Sequence, residues 1–226
     1  MAAFSSSIIL DFFIKTIGAS DIYPNRIDSF PIQVTEKFKN ALYCRTLLLN
    51  CLTSLYSDLW SECFKTEYKK EEWSINDKRL KSYSLLSENW NMNIPLRNYY
   101  ERRQALVEID VLVAMALGLS LNDLELIYEI QFPVLQQNEN DTWYDRNGRI
   151  VFTCSKGLVG VGVDRPTWNT IKDLPAGETY VHTIDPKRSE LYGGQQVTYY
   201  APFDKCDRIA DYRRAWAFFE KRFHAE

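Results

Sequence analysis

The sequence has few histidines, and its cysteines lack the spacing of a metal centre. It contains only two histidines, His182 and His224, and no two of its five cysteines stand in a Cys-x-x-Cys arrangement. A structural zinc site uses about four such ligands at short, characteristic spacings. We therefore expect no metal site. The cysteines are predicted to be reduced thiols of a cytosolic protein: Cys44, Cys51, Cys63, Cys154 and Cys206.

The chain also lacks a long apolar run. The segment MAAFSSSIILDFFIKTIG has no basic opening region, and Asp11 and Lys15 interrupt its apolar residues. A membrane span needs about 20 apolar residues in succession, and a signal peptide needs a basic region before its apolar core. We therefore expect neither, and we predict a cytoplasmic protein that does not enter a membrane.

Aromatic residues are abundant, whereas the charge is nearly balanced. The chain has 14 Tyr, 12 Phe and 6 Trp, a composition that excludes a disordered protein. A formal net charge of −3 does not suit a protein that coats nucleic acid by itself. Residues 1–103 hold 14 Lys and Arg against 12 Asp and Glu, whereas residues 104–226 hold 13 against 18. The first half is therefore the better candidate for a contact with phosphate.

Apolar residues repeat at helical spacing in four parts of the chain. The pattern predicts helices at 4–17, 35–64, 102–130 and from about residue 204 onward. The third part is a pair of helices, because Gly118 fits the end of one helix and Ser120 with Asp123 resembles a capping box for the next. Residues 65–98 have weak periodicity and are interpreted as a linker or a helical excursion.

After Asn138 the composition becomes that of short strands and loops. In WYDRNGRIVF, Asn147 and Gly148 lie between apolar and aromatic residues, which indicates a β-hairpin. We therefore predict a mainly α (α+β) fold, a helical bundle with a smaller β-hairpin and loop-rich segment in the C-terminal half. Residues 35–137 form the helical scaffold, and residues 138–226 form the hairpin and loop segment, closed by a C-terminal helix.

The helix pair has the spacing of a DNA-binding helix-turn-helix, but its second helix is acidic. A recognition helix offers Arg, Lys, Asn or Gln to the bases. This helix offers Asn122, Asp123, Glu125 and Glu129. Phosphates on both sides of a groove would repel its three carboxylates. We therefore interpret the pair as an antiparallel hairpin packed in the core.

Other candidate sites have structural explanations. Glu108 and Asp110 are two residues apart, so on a helix they point in different directions, and we expect Glu108 to form a surface ion pair with the basic residues one turn earlier. Gly157, Gly160 and Gly162 do not follow a nucleotide-loop pattern. The residues after them, Asp164-Arg165-Pro166, are not expected to begin a regular helix.

One enzymatic hypothesis remains open. No serine-centred elbow, Cys–His pair or His-Glu-x-x-His motif occurs in the sequence. A small enzyme would need to assemble its site from distant residues such as His182, Asp185 and Tyr192. That hypothesis requires a pocket in which His182 lies within hydrogen-bond reach of a carboxylate.

Two segments resemble the C-terminal part of bacterial restriction-modification DNA adenine methyltransferases, which also occur in phage-defence systems. SSSIILDFFIKTIGASDIYPNRIDSFPI is similar to the end of their target-recognition region, and RRQALVEIDVLVAMALGLSLNDLELIYEIQFPVL looks like the helical region beyond it. YDRNGRIVF and PFDKCDRIADYRRAWAFFEKRF look like the tail of such proteins. The matching residues of the first segment are Ala19, Ser20, Ile22, Asn25, Phe30, Pro31 and Ile32.

The resemblance implies a recognition and scaffold part without a catalytic domain. The family's Asn-Pro-Pro-aromatic tetrapeptide, which holds the flipped adenine, is absent, and so is its glycine-bearing cofactor motif. No catalytic residue is therefore carried over, and S-adenosylmethionine is expected only in a catalytic partner chain. Residues 1–34 correspond to the end of a target-recognition region. DNA contacts are expected from the turn after the first helix: Lys15, Ser20, Asn25 and Arg26.

The resemblance leads to one structural expectation, and a rival hypothesis competes with it. A recognition part without its other strands is expected to expose an apolar surface around Ile8, Ile9, Phe12 and Phe13. The rival is a helical protein-interaction subunit without a DNA-modifying role, which docks on a partner enzyme or other subunit through the long helix 35–64.

Overall fold

The computed structural model describes residues 1–18, 30, 32, 34–154 and 161–224. Helices account for about 52% of the described residues, and the strands form two small antiparallel pairs. The predicted mainly α (α+β) fold is confirmed. The α-helices are α1 (Ala2–Ser5), α2 (Ile8–Thr16), α3 (Glu36–Asn50), α4 (Ser57–Cys63), α5 (Tyr99–Ala116), α6 (Leu121–Gln131), α7 (Pro133–Asn140), α8 (Arg165–Ile171) and α9 (Arg208–His224). The strands are β1 (Trp143–Tyr144), β2 (Ile150–Phe152), β3 (Thr179–Thr183) and β4 (Gln196–Tyr200).

The chain divides into two compact units. Unit 1 comprises residues 1–97, 102–133 and 209–226, and unit 2 comprises residues 98–101 and 134–208. This division groups residues differently from the three segments predicted from the sequence, which remain a prediction. Within the described residues, no helix is both long enough and apolar enough to cross a membrane.

Unit 1 opens with the predicted N-terminal helix, divided into α1 and α2. The Ser7 side chain accepts a hydrogen bond from the Ile9 amide and so begins α2, and Gly18 with φ of 64° follows its end. The prediction that this helix exposes an apolar surface is wrong. Ile9 is buried, while Ile8, Phe12 and Phe13 are half-buried. Contact of α2 with α6 accounts for part of this burial.

The predicted 30-residue helix at 35–64 is two shorter helices. α3 ends at Asn50, and a 3-10 turn at Ser54–Tyr56 leads into α4. Donors from distant parts of the chain take the carbonyls where the helix ends: the Leu96 amide bonds to Leu48 O at 2.9 Å and the Trp90 indole to Cys51 O at 2.8 Å. Apolar periodicity cannot detect such competition. Because most of α3 is buried inside unit 1, its apolar face is not open to a docking partner.

The segment 65–98, predicted as a linker or a helical excursion, has little regular structure, and its residues 65–97 belong to unit 1. The described helices here are the 3-10 turns Thr66–Lys70 and Tyr83–Leu85. Indole hydrogen bonds tie the segment together, such as Trp73 to Lys81 O at 2.8 Å and Trp60 to Ser87 O at 2.8 Å. Lys81 donates to the carbonyls of Ile94 and Pro95. Side-chain donors therefore replace the missing helical and strand hydrogen bonds.

The helix pair α5–α6 forms as predicted. Gly118 has φ of 72°, a left-handed conformation that suits glycine after a helix. Ser120 and Asp123 form a complete capping box, in which each side chain accepts a hydrogen bond from the other residue's amide. α5 is buried along most of its length, and α6 buries Leu124 and Tyr128.

Unit 2 contains the predicted hairpin, β1–β2, whose turn places Gly148 at φ of 76°. The Asp145 carboxylate orders this turn by accepting hydrogen bonds from the amides of Asn147 and Arg149. β3 and β4 pair in register from Thr179 opposite Tyr200 to Thr183 opposite Gln196. The core of unit 2 is largely aromatic and centres on Trp168, whose ring lies 5.4 Å from Phe152 and 5.8 Å from Phe203.

Candidate functional site

A cavity of about 720 Å³ lies in unit 2. The end of β2, the first turn of α8 and the end of β3 form most of its wall. Its apolar lining includes Phe152 and Ile184, and its charged or titratable lining includes Asp141, Asp164, Arg165, His182, Asp185 and Arg188. This size falls within the range of small-molecule sites, which are typically about 300–1,000 Å³.

The start of α8 places Asp164 at this cavity, and here the sequence interpretation was wrong. Asp164-Arg165-Pro166 does begin a helix: the Asp164 side chain accepts a hydrogen bond from the Thr167 amide at 2.9 Å, and the proline occupies the first turn. Proline is tolerated there because amides in the first turn have no helical acceptor. The resulting helix has seven residues. Hydrogen bonds from Thr167 lower the pKa of Asp164.

Gly162 fixes the segment that enters α8. Its φ is 72°, and a Cβ at this position would lie 2.8 Å from the backbone oxygen of Val151. The Gly162 amide donates to the Tyr199 hydroxyl at 3.2 Å, and the Val163 amide donates to Val151 O at 2.7 Å. A side chain at residue 162 would therefore displace the wall of the cavity. Gly157 and Gly160, the other two glycines of this segment, lie outside the described residues.

His182 lines the cavity, and histidine is the side chain that most often acts as a general base. Burial lowers its pKa from the ordinary value of 6.5, Asp164 opposes this shift, and Arg188 reinforces it. The imidazole is therefore mainly neutral at pH 7. Asp164 acts on His182 through its charge, and within the described part of the chain no hydrogen bond joins the imidazole to a carboxylate.

The residues of the small-enzyme hypothesis are brought together only in part. His182 and Asp185 both line the cavity, but Tyr192 is exposed elsewhere and does not line it. The Asp185 carboxylate accepts a hydrogen bond from the Lys187 amide at 2.9 Å, as in a turn. The described residues contain no group of three His, Cys, Asp or Glu side chains that could hold a metal ion.

Of the four predicted DNA-binding residues, Lys15 is the one that the structure describes. Its ammonium lies 3.0 Å from Asp11 and 4.1 Å above the ring centre of Phe132. These contacts engage the charge within unit 1, where Lys15 remains partly exposed. Ser20, Asn25 and Arg26 lie outside the described residues, so a contact between this turn and DNA stays a prediction.

The second helix of the helix-turn-helix-like pair has a mixed outer surface, on which apolar residues lie beside the exposed carboxylates of Asp123 and Glu129. Asn122, Leu126 and Ile130 lie four residues apart along α6 and are exposed. Glu125 pairs with Arg213 at 2.8 Å. Of the side chains that read bases in a groove, α6 exposes Asn122 and Gln131, and it contains no Lys or Arg.

Glu108 belongs to a buried charge cluster, and the predicted surface ion pair is wrong. Its carboxylate is fully buried and lies 2.6 Å from Nε of Arg45. Ser74 donates to it through its amide at 2.8 Å and through its hydroxyl at 2.7 Å, and Gln104 donates at 3.0 Å. The partner on α3 is 63 residues away in sequence, so inspection of neighbouring helical turns could not find it.

Glu71 completes this charge cluster. It lies 3.1 Å from Arg45 and receives two hydrogen bonds from Arg222 of α9, at 2.9 and 2.7 Å. Burial opposes ionisation of Glu71, but the hydrogen bond and charge of Arg222, together with the charge of Arg45, outweigh it and lower its pKa. The charge cluster, defined as Arg45, Glu71, Glu108 and Arg222, therefore joins α3, α5 and α9 with the segment after α4.

Asp110 and Arg103 make further long-range contacts of α5. Asp110 accepts hydrogen bonds from the Ile8 amide at 3.0 Å, at the start of α2, and from the Tyr212 hydroxyl at 2.7 Å. Arg103 pairs with Asp211 at 2.6 Å. The sequence correctly indicated that Glu108 and Asp110 point in different directions, but it missed that both are buried. The polar side chains within an otherwise apolar helix were the available signal.

Comparisons with protein-family models, with curated proteins and with solved structures found no match to this chain.

Proposed function

We propose that this chain is the non-catalytic C-terminal recognition and scaffold part of a DNA adenine methyltransferase in a restriction-modification or phage-defence system. It acts with a catalytic chain that supplies the adenine pocket and binds S-adenosylmethionine. DNA is contacted by the complex as a whole, with this chain contributing recognition and position rather than chemistry.

The arrangement of α5 carries this proposal. The segment most similar to the methyltransferases, RRQALVEIDVLVAMALGLS, supplies Arg103, Glu108 and Asp110, and each of the three is buried in contacts with other elements of unit 1. Charged residues that are buried against other elements fix the arrangement of those elements. The resemblance therefore concerns residues with a scaffold role, as expected for a region beyond the recognition domain.

Reconstitution tests the proposal directly. The chain is co-expressed with a neighbouring chain that carries the Asn-Pro-Pro-aromatic tetrapeptide, and the purified proteins are assayed for transfer of a labelled methyl group from S-adenosylmethionine to DNA. We expect a stable complex, and we expect methylation at a specific site to require both chains. Site-specific methylation by the catalytic chain alone, at an unchanged rate, would contradict the proposal.

A helical interaction subunit without a DNA-modifying role is the second candidate. The observation that favours it is the acidic second helix of the helix pair, whose Asp123, Glu125 and Glu129 would be repelled by DNA phosphates but can face a protein. Copurification of a partner without a methyltransferase motif, together with unchanged DNA methylation in cells that lack this chain, would support it over the first proposal.

A further inference from the structure

Unit 1 exposes several large apolar side chains on two neighbouring segments. Leu55 is 90% exposed, Leu85 76% and Met92 60%, while Tyr56 and Leu59 are each exposed by nearly half. Leu55 and Leu59 are four residues apart along the 3-10 turn and α4, so they share one face. We call these five residues the apolar patch: Leu55, Tyr56, Leu59, Leu85 and Met92.

Hydrogen bonds from side chains to carbonyls hold the two segments side by side. Trp60 donates to Ser87 O at 2.8 Å, and Ser61 donates to Glu88 O at 3.1 Å. The Arg97 guanidinium donates both to Leu52 O at 2.6 Å and to Met92 O at 2.8 Å. These bonds place residues 85–92 against residues 51–61 in a fixed arrangement.

The base of the apolar patch is firm because its neighbouring side chains are buried. Trp60 follows Leu59 and is fully buried, and Leu86 follows Leu85 and is also buried. The exposed side chains therefore stand on backbone whose position the core of unit 1 fixes. Such preorganisation lowers the entropy lost when a partner binds.

Acidic residues adjoin the apolar patch. Asp58 lies within α4 beside Leu59, Glu62 continues the face of Leu55 and Leu59, and Glu88 follows Leu86 by two residues. All three are exposed, and none forms an ion pair within the described residues. The exposed guanidinium of Arg97 also lies at the patch, against Met92. The three carboxylates outnumber this cation, so phosphates of DNA and of anionic lipids would be repelled. An apolar centre with a charged rim is typical of a protein interface.

We propose that the apolar patch is the docking surface for the catalytic methyltransferase chain, through an apolar segment of that chain flanked by Lys or Arg. This inference rests on the proposed function and names the surface that function would use. The partner's apolar side chains cover Leu55, Leu59 and Met92, and its cations face Asp58, Glu62 and Glu88.

The test compares two double variants of the full chain, each of which replaces two exposed aliphatic side chains with Glu. The variant Leu55→Glu/Leu59→Glu changes the apolar patch, and Leu126→Glu/Ile130→Glu changes the exposed face of α6, which serves as the matched control. Each is mixed with the chain that carries the Asn-Pro-Pro-aromatic tetrapeptide, and the dissociation constant is measured by titration calorimetry. We expect at least tenfold weaker binding for the first variant and less than twofold change for the second.

The acidic rim has its own test. The variant Asp58→Lys/Glu62→Lys should bind several-fold more weakly at low salt, and the difference should shrink as salt rises, because screening weakens contacts between exposed charges. The single variant Glu67→Lys, at an exposed carboxylate of the 3-10 turn Thr66–Lys70, is the control. Circular dichroism and urea unfolding confirm that each variant is folded before it is titrated.

The outcomes separate this inference from the proposed function. If the unmodified chain forms no complex with the methyltransferase chain, the proposed function and this partner both fail. If the complex forms and Leu55→Glu/Leu59→Glu binds as tightly as the unmodified chain, only the docking surface is wrong. Binding of the unmodified chain to phosphatidylglycerol vesicles that is lost in Leu55→Glu/Leu59→Glu would instead assign the apolar patch to a lipid surface.

Discussion

The two units use charge and aromatic side chains in opposite ways. In unit 1, Arg45 and Glu108 are buried against one another, while apolar side chains such as Leu55 are left at the surface. In unit 2, aromatic rings around Trp168 fill the core, and Asp164 with His182 lines a cavity. A buried ion pair contributes a specific arrangement more than net stability, whereas an aromatic core contributes mainly apolar burial. The comparison indicates that charged side chains fix the arrangement of helices inside unit 1, whereas in unit 2 they line a cavity.

The largest effect is expected where the charge cluster is broken. Arg45→Ala removes the cation paired with Glu108 and one of the two cations paired with Glu71. An uncompensated buried charge costs about 3–5 kcal/mol. Urea unfolding should show this loss, and hydrogen exchange should locate it in peptides from α3 and α5. The exposed pair of Lys15 with Asp11 is the control, since Lys15→Ala should cost less than about 1 kcal/mol. A loss below about 1 kcal/mol for Arg45→Ala would remove the contrast between the units.

A somewhat smaller effect is expected in unit 2. Trp168→Ala should lower the free energy of unfolding by about 3 kcal/mol, at the lower end for such substitutions, because the short helix α8 borders a cavity and can relax. Tryptophan fluorescence and hydrogen exchange of residues 143–171 measure the change. The conservative variant Trp168→Phe should recover most of the loss. Equal losses for both variants would mean that Trp168 is not the centre of the core.

Loss of the second carboxylate of α5 comes next. Asp110→Ala leaves the Tyr212 hydroxyl and the Ile8 amide without this acceptor, at a cost of about 2 kcal/mol. Asp110→Asn keeps one oxygen acceptor and should cost less. Exchange of the Ile8 amide, followed by NMR, should accelerate in the alanine variant, and unchanged exchange would argue against the contact.

Removal of a helix cap tests the two units at matched positions. Ser120→Ala removes the capping box of α6 and should cost about 1 kcal/mol. Asp164→Ala removes the cap of α8 and should also destabilise, but with an added effect on the cavity, because the charge that acts on His182 is lost. NMR titration of His182 in the Asp164→Ala variant should give a lower pKa than in the unmodified chain. An unchanged titration would mean that Asp164 does not influence the imidazole.

The smallest effects depend on pH, and the two groups concerned act over different pH ranges. The pKa of Glu71 lies below its unfolded value of 4.5, so its contribution is present above pH 4.5 and is lost as pH falls below that value. The pKa of His182 lies below 6.5, so the folded state binds this proton less readily, and stability falls as pH decreases below 6.5. The free energy of unfolding, measured from pH 8 to pH 4, should begin to fall below pH 6.5 in the unmodified chain. The variant His182→Gln should abolish this fall.

Local sequence signals predicted much of the fold but little of the candidate site. The capping box at Ser120, the turn at Gly148 and the closing helix depend on residues close together in sequence, and all three are confirmed. The division of helix 35–64 was missed because the donors that cause it are distant in sequence: Trp90 is 39 residues from Cys51, and Leu96 is 48 residues from Leu48. The partners of Glu108 and the cavity around His182 likewise depend on tertiary contacts, which periodicity does not contain.

The charge cluster also bears on how the chain folds as it is synthesised. Arg222 reaches Glu71 across 151 residues and Asp211 reaches Arg103 across 108, and the whole sequence of unit 2 apart from Arg208 is made before α9. Contacts this distant in sequence form late, because closing a long loop costs entropy before any contact rewards it. Until α9 leaves the ribosome, Glu71 has no Arg222 and Arg103 has no Asp211. The helical unit therefore stays incomplete until α9 has been made, and by then almost the whole sequence of unit 2 has already left the ribosome ahead of it.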